Sequence, residues 1–287
     1  MRRANVVNEE VKQIGTVENL TGAMESVSST RVAKVKSRVE LSKEFFDYLW
    51  QLYSSIRVDP RTRITNRDDG KNGKSLFVII SAEAGLSGDI DLRLIETMLK
   101  DYDETNTDII VLGTHGANQL KQRGIPFIRF FQIPESESYL DVTPVMDAIE
   151  PYSKVAIYYE EYVSLGVQGI KKIDLISSIA QMSMESSGNQ RVITPQDTIF
   201  EPSLDEIADI MESAMLRLAF SQAILESGLA QDASRFNAMA AAKERAWELL
   251  NYYKLEYHRS KRSESDRRSR EVMVGLKKKK HSKDHKR

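Results

Sequence analysis

The sequence predicts an α/β protein: a long antiparallel coiled coil of N- and C-terminal helices with a Rossmann-like α/β domain inserted between them. Three observations carry this. Between Pro202 and Gly275 there is no proline and a single internal glycine, Gly228, in a stretch rich in Ala, Leu, Glu, Arg and Met. Residues 4–57 likewise lack proline. Between these two stretches, short β-branched apolar runs alternate with short helical patterns, as in a mostly parallel sheet covered on both faces.

The first segment, residues 1–58, is read as one helix. Val11, Ile14, Val17, Leu20, Met24, Val27, Val32, Val35 and Val39 fall mostly three or four apart, the narrow stripe of a two-helix seam. Ala23, Ser26, Ser28 and Ser29 beside it permit close approach of a neighbour. Past Lys43 the stripe widens to Phe45, Phe46, Leu49, Trp50, Leu52 and Tyr53, as where a helix docks on a domain. Asp59-Pro60 ends it, and residues 59–74 form a polar linker.

The α/β domain is placed at 75–200. Its expected strands are Ser75–Ile80, Asp108–Gly113, Ile125–Ile133, Lys154–Tyr159 and Gly169–Ile176. Helices are expected at Asp89–Lys100, Ala117–Arg123 and Thr143–Ile149. Residues 181–198 are polar and read as loop. Pro202 and Ser203 open the second long helix, proline being tolerated in a first turn. That helix, assigned to 201–276, would be roughly 100 Å long, too long to be buried by its own chain, so it needs a partner. Residues 277–287, with four consecutive lysines, read as a disordered basic tail.

Composition excludes several function classes. The chain has no cysteine, which removes disulfides and thiolate chemistry. Four histidines, His115, His258, His281 and His285, are scattered, so neither a metal nor any other cofactor is expected. The longest purely apolar run, Leu76–Ile80, is far below the ~18 residues a transmembrane helix needs. Met1-Arg2-Arg3, followed by Asn and Glu, lacks the apolar core of a signal peptide, so the chain is expected to stay inside the cell. The net charge of −1 conceals an asymmetry: from His258 to Arg287 there are 13 Lys and Arg against 4 Asp and Glu.

Two glycine-rich stretches resemble phosphate-binding loops, and neither qualifies. Gly70-Lys-Asn-Gly-Lys-Ser75 has two residues between its glycines where the loop needs four, and its strand follows instead of preceding. Gly85-Leu86-Ser87-Gly88 does lie between a strand and a helix, but Glu83, Asp89 and Asp91 would repel an anion. A tight turn with Ser87 or Asp89 as helix cap is the expected arrangement. No nucleophile-base set, zinc-protease motif or paired-carboxylate site stands out, so no catalytic residue is assigned.

The run Glu226-Ser-Gly-Leu-Ala-Gln-Asp-Ala-Ser-Arg-Phe-Asn-Ala-Met239, followed by Ala242 and Ala246, resembles the C-terminal helix of the gamma (central stalk) subunit of F-type ATP synthases. Matching positions are Glu226, Ser227, Arg235, Ala238 and Met239, then Glu271 and Gly275 near the end. Ser81-Ala-Glu-Ala-Gly-Leu-Ser-Gly-Asp-Ile-Asp91 is similar to the signature after that family's first strand. Ala23-Met24 through Arg31 is similar to its N-terminal helix, and Phe200-Glu201-Pro202 to its Tyr-Glu-Pro. Tyr257 to Arg262 falls on Tyr-Asn-Lys-Ala-Arg-Gln. The usual Ile-Thr-x-Glu is replaced by Ser265-Asp-Arg-Arg268, and Leu276 stands where Ala is usual. These departures suggest an alternative branch, such as the sodium-pumping N-type enzymes.

The resemblance implies a non-catalytic rotor shaft that binds no nucleotide itself and couples ion flow to conformational change in catalytic subunits. It implies contacts with three α and three β subunits, through Met24, Arg31, Lys34, Lys261 and Arg262 on the β side. It implies a foot near Glu201 against the epsilon subunit and the membrane c ring. It also implies a peripheral place at the cytoplasmic face of the membrane. The bare residues leave other readings open. Arg31, Lys34, Lys36 and Arg38 form an ordinary solvated basic face. The chain as a whole also fits a coiled-coil scaffold, a nucleic-acid binder gripping phosphate with its basic end, or a small-molecule enzyme. A nucleic-acid binder would lose affinity steeply with salt, and nucleic acid is not expected as a partner.

Overall fold

The computed structural model describes residues 3–55, 73–133, 141–174 and 204–284. Residues 59–72 of the expected linker, the expected loop at 181–198, Glu201 and the last three residues lie outside the described residues. The elements run α1 (Ala4–Ser55), β1 (Ser75–Ile80), α2 (Ile90–Leu99), β2 (Thr107–Leu112), α3 (Thr114–Gln122), β3 (Arg129–Phe131), α4 (Thr143–Ile149), β4 (Lys154–Tyr162), β5 (Gln168–Asp174) and α5 (Leu204–Asp284). The chain divides into two compact units. One holds Met1–Ser26 with Ala238–Arg287, and the other Val27–Asn237.

The unit of Val27–Asn237 is built on a five-stranded mixed sheet in the order β3-β2-β1-β4-β5. The first four strands are parallel and β5 is antiparallel to β4. Alternation along β1 sorts side chains to two faces. Leu76, Val78 and Ile80 join a core with Val155, Ile157 and Tyr159 of β4, Val145 and Ile149 of α4, Tyr53 of α1, and Met215 and Phe220 of α5. Phe77 and Ile79 join the opposite core with Leu94, Ile95 and Met98 of α2, and Ala117 and Leu120 of α3. Both faces are covered, as the parallel topology requires. The two long helices supply much of one cover, the role a domain of this class ordinarily gives to its own short crossover helices. A smaller cluster of Val32, Val35, Leu229 and Ala233, with Val39 and Tyr162 against it, joins α1 and α5 within this unit.

β3 is the shortest strand: pairing is confined to Arg129–Phe131 against Ile110–Leu112, not the whole of 125–133. Pro126 has no N–H to give a ladder, and Gly124, at φ +70°, turns the chain just before it. Ile125 and Phe127 instead pack from outside on the α2/α3 core.

In the unit of Met1–Ser26 and Ala238–Arg287, positions on α1 meet positions on α5 that fall as the α1 number rises. The Ala4 amide donates to Glu264 Oε1 at 3.0 Å. A Cβ at Gly15 would lie 3.9 Å from Leu250, and one at Gly22 would lie 3.5 Å from the Lys243 stem. Lys243 Nζ donates to Glu25 Oε2 at 2.9 Å. Met239, Ala246, Leu250 and Ser260 are the buried positions of this part of α5 among the described residues, at spacings made up of three- and four-residue steps.

Two expectations are corrected. The α1 stripe does not pass through Val17, Leu20 and Val27, which are half exposed or more. A strict three-four alternation of buried and half-buried positions runs instead through Val7, Val11, Ile14, Glu18, Thr21, Glu25, Ser28, Val32, Val35 and Val39, with Asn8, Gly15, Gly22 and Met24 half-buried beside it. The register set by Val7, Val11 and Ile14 runs straight through polar residues to Val32, and the valines one residue earlier form a separate, exposed row. Thr21 satisfies its hydroxyl internally by donating to Val17 O or Glu18 O. Second, α5 does not end at Leu276: its backbone is helical through Asp284, eight residues into the segment read as a basic tail. Lysine is a good helix former, and cations are favourably placed in a last turn.

Gly113 ends β2 at φ +96°, and a Cβ there would stand 2.1 Å from Ser81 O. Gly113→Ala therefore combines a left-handed backbone with a backbone clash. It is expected to cost about 3 kcal/mol, read as a fall in the urea midpoint of the full chain without loss of helical circular dichroism.

Candidate functional site

The C-terminal ends of β1 and β4 and the turn after β1 present a row of main-chain carbonyls and two carboxyl groups. The middle of α5 closes over them. Ala223, Ser227, Ala230 and Ser234 lie three or four apart, with Gln231 next to Ala230, and all five are buried. Small side chains at 230 and 233 let the α5 backbone come close. Polar ones at 227, 231, 234 and 235 then reach the sheet edge.

Ser227 Oγ shares its proton between Ile80 O at 3.3 Å and Glu160 Oε2 at 3.0 Å, and accepts from Gln231 Nε2 at 3.0 Å. Ser234 Oγ donates to Ser87 O at 2.6 Å. Arg235 donates from Nε to Gly85 O at 3.2 Å and from Nη2 to Ala84 O at 3.1 Å, while Nη1 pairs with Asp232. Asn237 Nδ2 donates to Leu165 O at 2.7 Å. Glu226 accepts from Tyr159 OH at 3.3 Å. Burial pushes the Glu226 carboxyl above its usual range, Lys171 opposing. One face of α5 thus supplies the donors that a glycine-rich turn leaves wanting.

The turn itself is strained. Leu86 sits at φ +69° and Gly88 at φ +71°, which aims successive carbonyls outward toward α5. This loop is no anion cradle: what it offers is acceptors. The acidic residues near it have distinct jobs. Glu83 accepts Thr114 N at 2.9 Å and Thr114 Oγ1 at 2.8 Å, capping α3. Asp89 precedes α2 but makes no side-chain cap bond; it pairs with Arg93 at 3.5 Å. Ser87 does not cap either, since its hydroxyl donates to Asp91 Oδ2 at 2.9 Å. The turn expected there is present, and its two expected caps are not. Asp91 Oδ1 receives the Ala82 amide at 2.8 Å, and His115 Nδ1 lies 3.0 Å from Asp91 Oδ2.

Of the residues singled out in the sequence, Glu226, Ser227 and Arg235 come together in this docking face, with Met239 buried farther along α5 and Ala238 half-buried. Arg31, Lys34, Lys261 and Arg262 face solvent; Lys261 Nζ lies over the Tyr257 ring at 5.8 Å. Met24 is half-buried. Glu271 is exposed and pairs with Arg267 at 3.1 Å, and Gly275 has open space around it. Sequence reasoning missed Gln231, Ser234 and above all Glu160. The signal for the first two was present, since Ser227, Gln231, Ser234 and Arg235 form a polar row within an otherwise Ala- and Leu-rich helix face. Among the described residues no group of three or more His, Asp or Glu is placed to hold a metal ion. No described helix is long and apolar enough to cross a membrane.

A family model described as ATP synthase matches residues 4–266. The chain belongs to that family. Within the ATP synthase family it is similar to curated relatives named ATP synthase gamma chain. That of Malacoplasma penetrans is 26% identical over 96% of this chain and 99% of the relative. That of Clostridium novyi is 24% identical over 94% and 95%. Its fold is similar to a chain in the mitochondrial ATP synthase rotor of Euglena gracilis, with TM-score 0.66 at 15% identity over 91% of this chain and 98% of that one. It is also similar to one in the central stalk and c-ring assembly of Tetrahymena thermophila, with TM-score 0.56 at 16% identity over 78% and 99%. Neither the scaffold nor the nucleic-acid reading gains support from these likenesses.

Arg235→Met strips the donors from Ala84 O and Gly85 O and leaves Asp232 without its guanidinium in a buried setting. A loss of about 3 kcal/mol is expected, the usual scale for removing one partner of a buried pair. Arg235→Lys should recover little, because a point ammonium cannot serve three acceptors spread over a planar fork. Urea unfolding of the two variants beside the wild type reads the difference.

Proposed function

We propose that this chain is the central shaft of a rotary ATP synthase and has no active site of its own, its work being to couple ion flow through a membrane ring to the catalytic subunits around it. The observation that carries the reading is the family match along residues 4–266. The finer architecture follows: the opposed segments of α1 and α5 are an antiparallel coiled coil, and the inserted sheet with its covering helices is a Rossmann-like domain. The complex is membrane-associated, and the chain is its peripheral component on the cytoplasmic face.

The mechanism rests on asymmetry. Three α and three β subunits surround an axle that lacks threefold symmetry, so each β site meets a different face of it. The axle stabilises a different conformation in each chemically identical site, and turning it redistributes those conformations. Met24, Arg31, Lys34, Lys261 and Arg262 are the contacts assigned to β subunits. Exposed cations suit long acidic partner surfaces, where complementary charge gives register more than affinity. Glu201 is assigned to the foot, against the epsilon subunit and the c ring. Glu271 and Gly275 belong to the end of α5 that a bearing in the hexamer would enclose. The exposed row Val272, Met273, Val274 and Leu276 supplies the apolar part of that surface.

The test is reconstitution of the full chain with the α and β subunits and observation of ATP-driven rotation. Reversing the charge of Arg31, Lys34, Lys261 and Arg262 together is expected to weaken assembly or lower torque, more so at low salt. Unchanged rotation would remove the assigned contacts, and a hexamer indifferent to the chain would remove the function.

A further inference from the structure

Glu160 on β4 and Asp91 in the first turn of α2 are both completely buried, Glu160 Oε1 has no hydrogen-bond partner among the described residues, and Asp91 lies near enough for its charge to act on Glu160. We propose that Asp91 and Glu160 share a single proton at neutral pH and act as a proton-dependent latch that holds the sheet edge against α5. The bonding pattern requires the proton. Asp91 is already an acceptor on both oxygens, from the Ala82 amide and the Ser87 hydroxyl. Glu160 Oε2 accepts from Ser227. Glu160 Oε1 meets no hydrogen-bond partner among the described residues. Two ionised carboxylates in contact, out of water, would be repelled and desolvated together. A carboxylic acid at Oε1 turns that repulsion into a donor-acceptor pair.

The surroundings do not supply a cation in place of the proton. From α5 the group sees Ser227 and Gln231, with Arg235 committed to Ala84 O, Gly85 O and Asp232. From α3, the partly exposed His115 lies 3.0 Å from Asp91 Oδ2, the oxygen that also accepts from Ser87, and none of its contacts is to Glu160. Glu83 is engaged by Thr114. On the neighbouring strand positions, Tyr159 binds Glu226, and Glu161 pairs with Lys171 at 2.9 Å. Burial first, and then the charge of Asp91, push Glu160 well above its ordinary 4.5, against the hydrogen bonds from Gln231 and Ser227.

The sign follows. The folded state holds this proton more tightly than the unfolded chain does, so its stabilisation is full below the ordinary carboxyl range. It falls as pH rises toward the raised folded value. Acid tightens the seat of α5 on the sheet and alkali loosens it. This is the reverse of an ordinary ion-paired carboxylate.

The test compares urea unfolding of full-length wild type and Glu160→Gln from about pH 5 to about pH 8. One extra proton held by the folded state makes the folding constant of the wild type fall by up to about tenfold per pH unit relative to the amide variant. Parallel curves overturn the latch. His115→Gln should leave the wild-type slope in place. If it abolishes that slope, the imidazole and not the acid pair is responsible. A measurement on the wild type needs no variant to fold: infrared spectra at neutral pH should show a carboxylic-acid carbonyl band that is slow to respond to D2O and moves on ¹³C labelling of glutamate. Absence of the band overturns the shared proton, and a band that moves on labelling of neither glutamate nor aspartate overturns its assignment to this pair. So does stabilisation by sodium or calcium chloride that choline chloride does not reproduce and Glu160→Gln lacks, since the pair would then be a cation site.

Discussion

The sheet's carboxyl edge ends in carbonyls that no strand can satisfy, and α5 is the element that satisfies them. Ser227, Ser234 and Arg235 bond to Ile80, Ser87, Gly85 and Ala84, so the helix is fixed in both rotation and translation against the β1 turn. A purely apolar seam between a helix and a sheet edge tolerates sliding by a turn, because one leucine resembles the next. A row of directional bonds to named carbonyls does not, since slipping by a single residue would leave buried donors and acceptors unpaired. For a helix proposed to carry torque, that distinction matters: the load passes through hydrogen bonds to main chain that itself belongs to a parallel sheet.

The same edge explains why two carboxyl groups are tolerated in the interior. Replacing Glu160 or Asp91 by an apolar residue would remove the repulsion but also leave the Ser227 hydroxyl only its longer bond to Ile80 O, or take the acceptor from the Ala82 amide and the Ser87 hydroxyl. Once Glu160 Oε1, which otherwise has no partner among the described residues, carries the proposed proton, the network is complete, with Gln231 bonded to Ser227 within α5 and His115 beside Asp91. Glu226 sits one residue from Ser227, yet its partner is a tyrosine, and it is only partly buried. Neighbours on one helix therefore face quite different electrostatic conditions, because successive residues point about 100° apart.

Much of the fold was legible because its signals are local. β1, β2, β4 and α4 fall within a residue or a few of their expected bounds, since apolar β-branched runs bounded by glycine and proline are hard to read otherwise. What failed was phase. Val17, Leu20 and Val27 look like seam residues because they are valine and leucine, whereas the seam passes through Glu18, Thr21, Glu25 and Ser28. Only the positions before and after, Val7 to Ile14 and Val32 to Val39, set the register, and hydrophobicity in the middle points to the wrong row. The docking face was half legible: Ser227 and Arg235 stood out as polar residues on a small-residue helix, but Glu160 did not. Its position on β4 looks like the polar end of an exposed strand, and only the tertiary pairing with Asp91 reveals it as interior.

The misleading row on α1 has a physical meaning of its own. Between Val17 and Ser28, where the seam is lined by Glu18, Thr21, Glu25 and Ser28 while Val17, Leu20 and Val27 face outward, the helix directs most of its large apolar residues away from its intrachain neighbour. On α5, Trp247, Leu249, Tyr252 and Leu255 are likewise half exposed or more. Single exposed apolar side chains are ordinary, but rows of them along long helices expose more apolar surface than a lone protein usually leaves in water. The seam gives up hydrophobic stabilisation between the helices, and the outward rows regain it only where something surrounds them. A shaft enclosed by a ring of subunits meets that condition. In the shaft proposed above, polar seam and apolar exterior are one arrangement, with enclosing subunits and helix pairing together holding the axle.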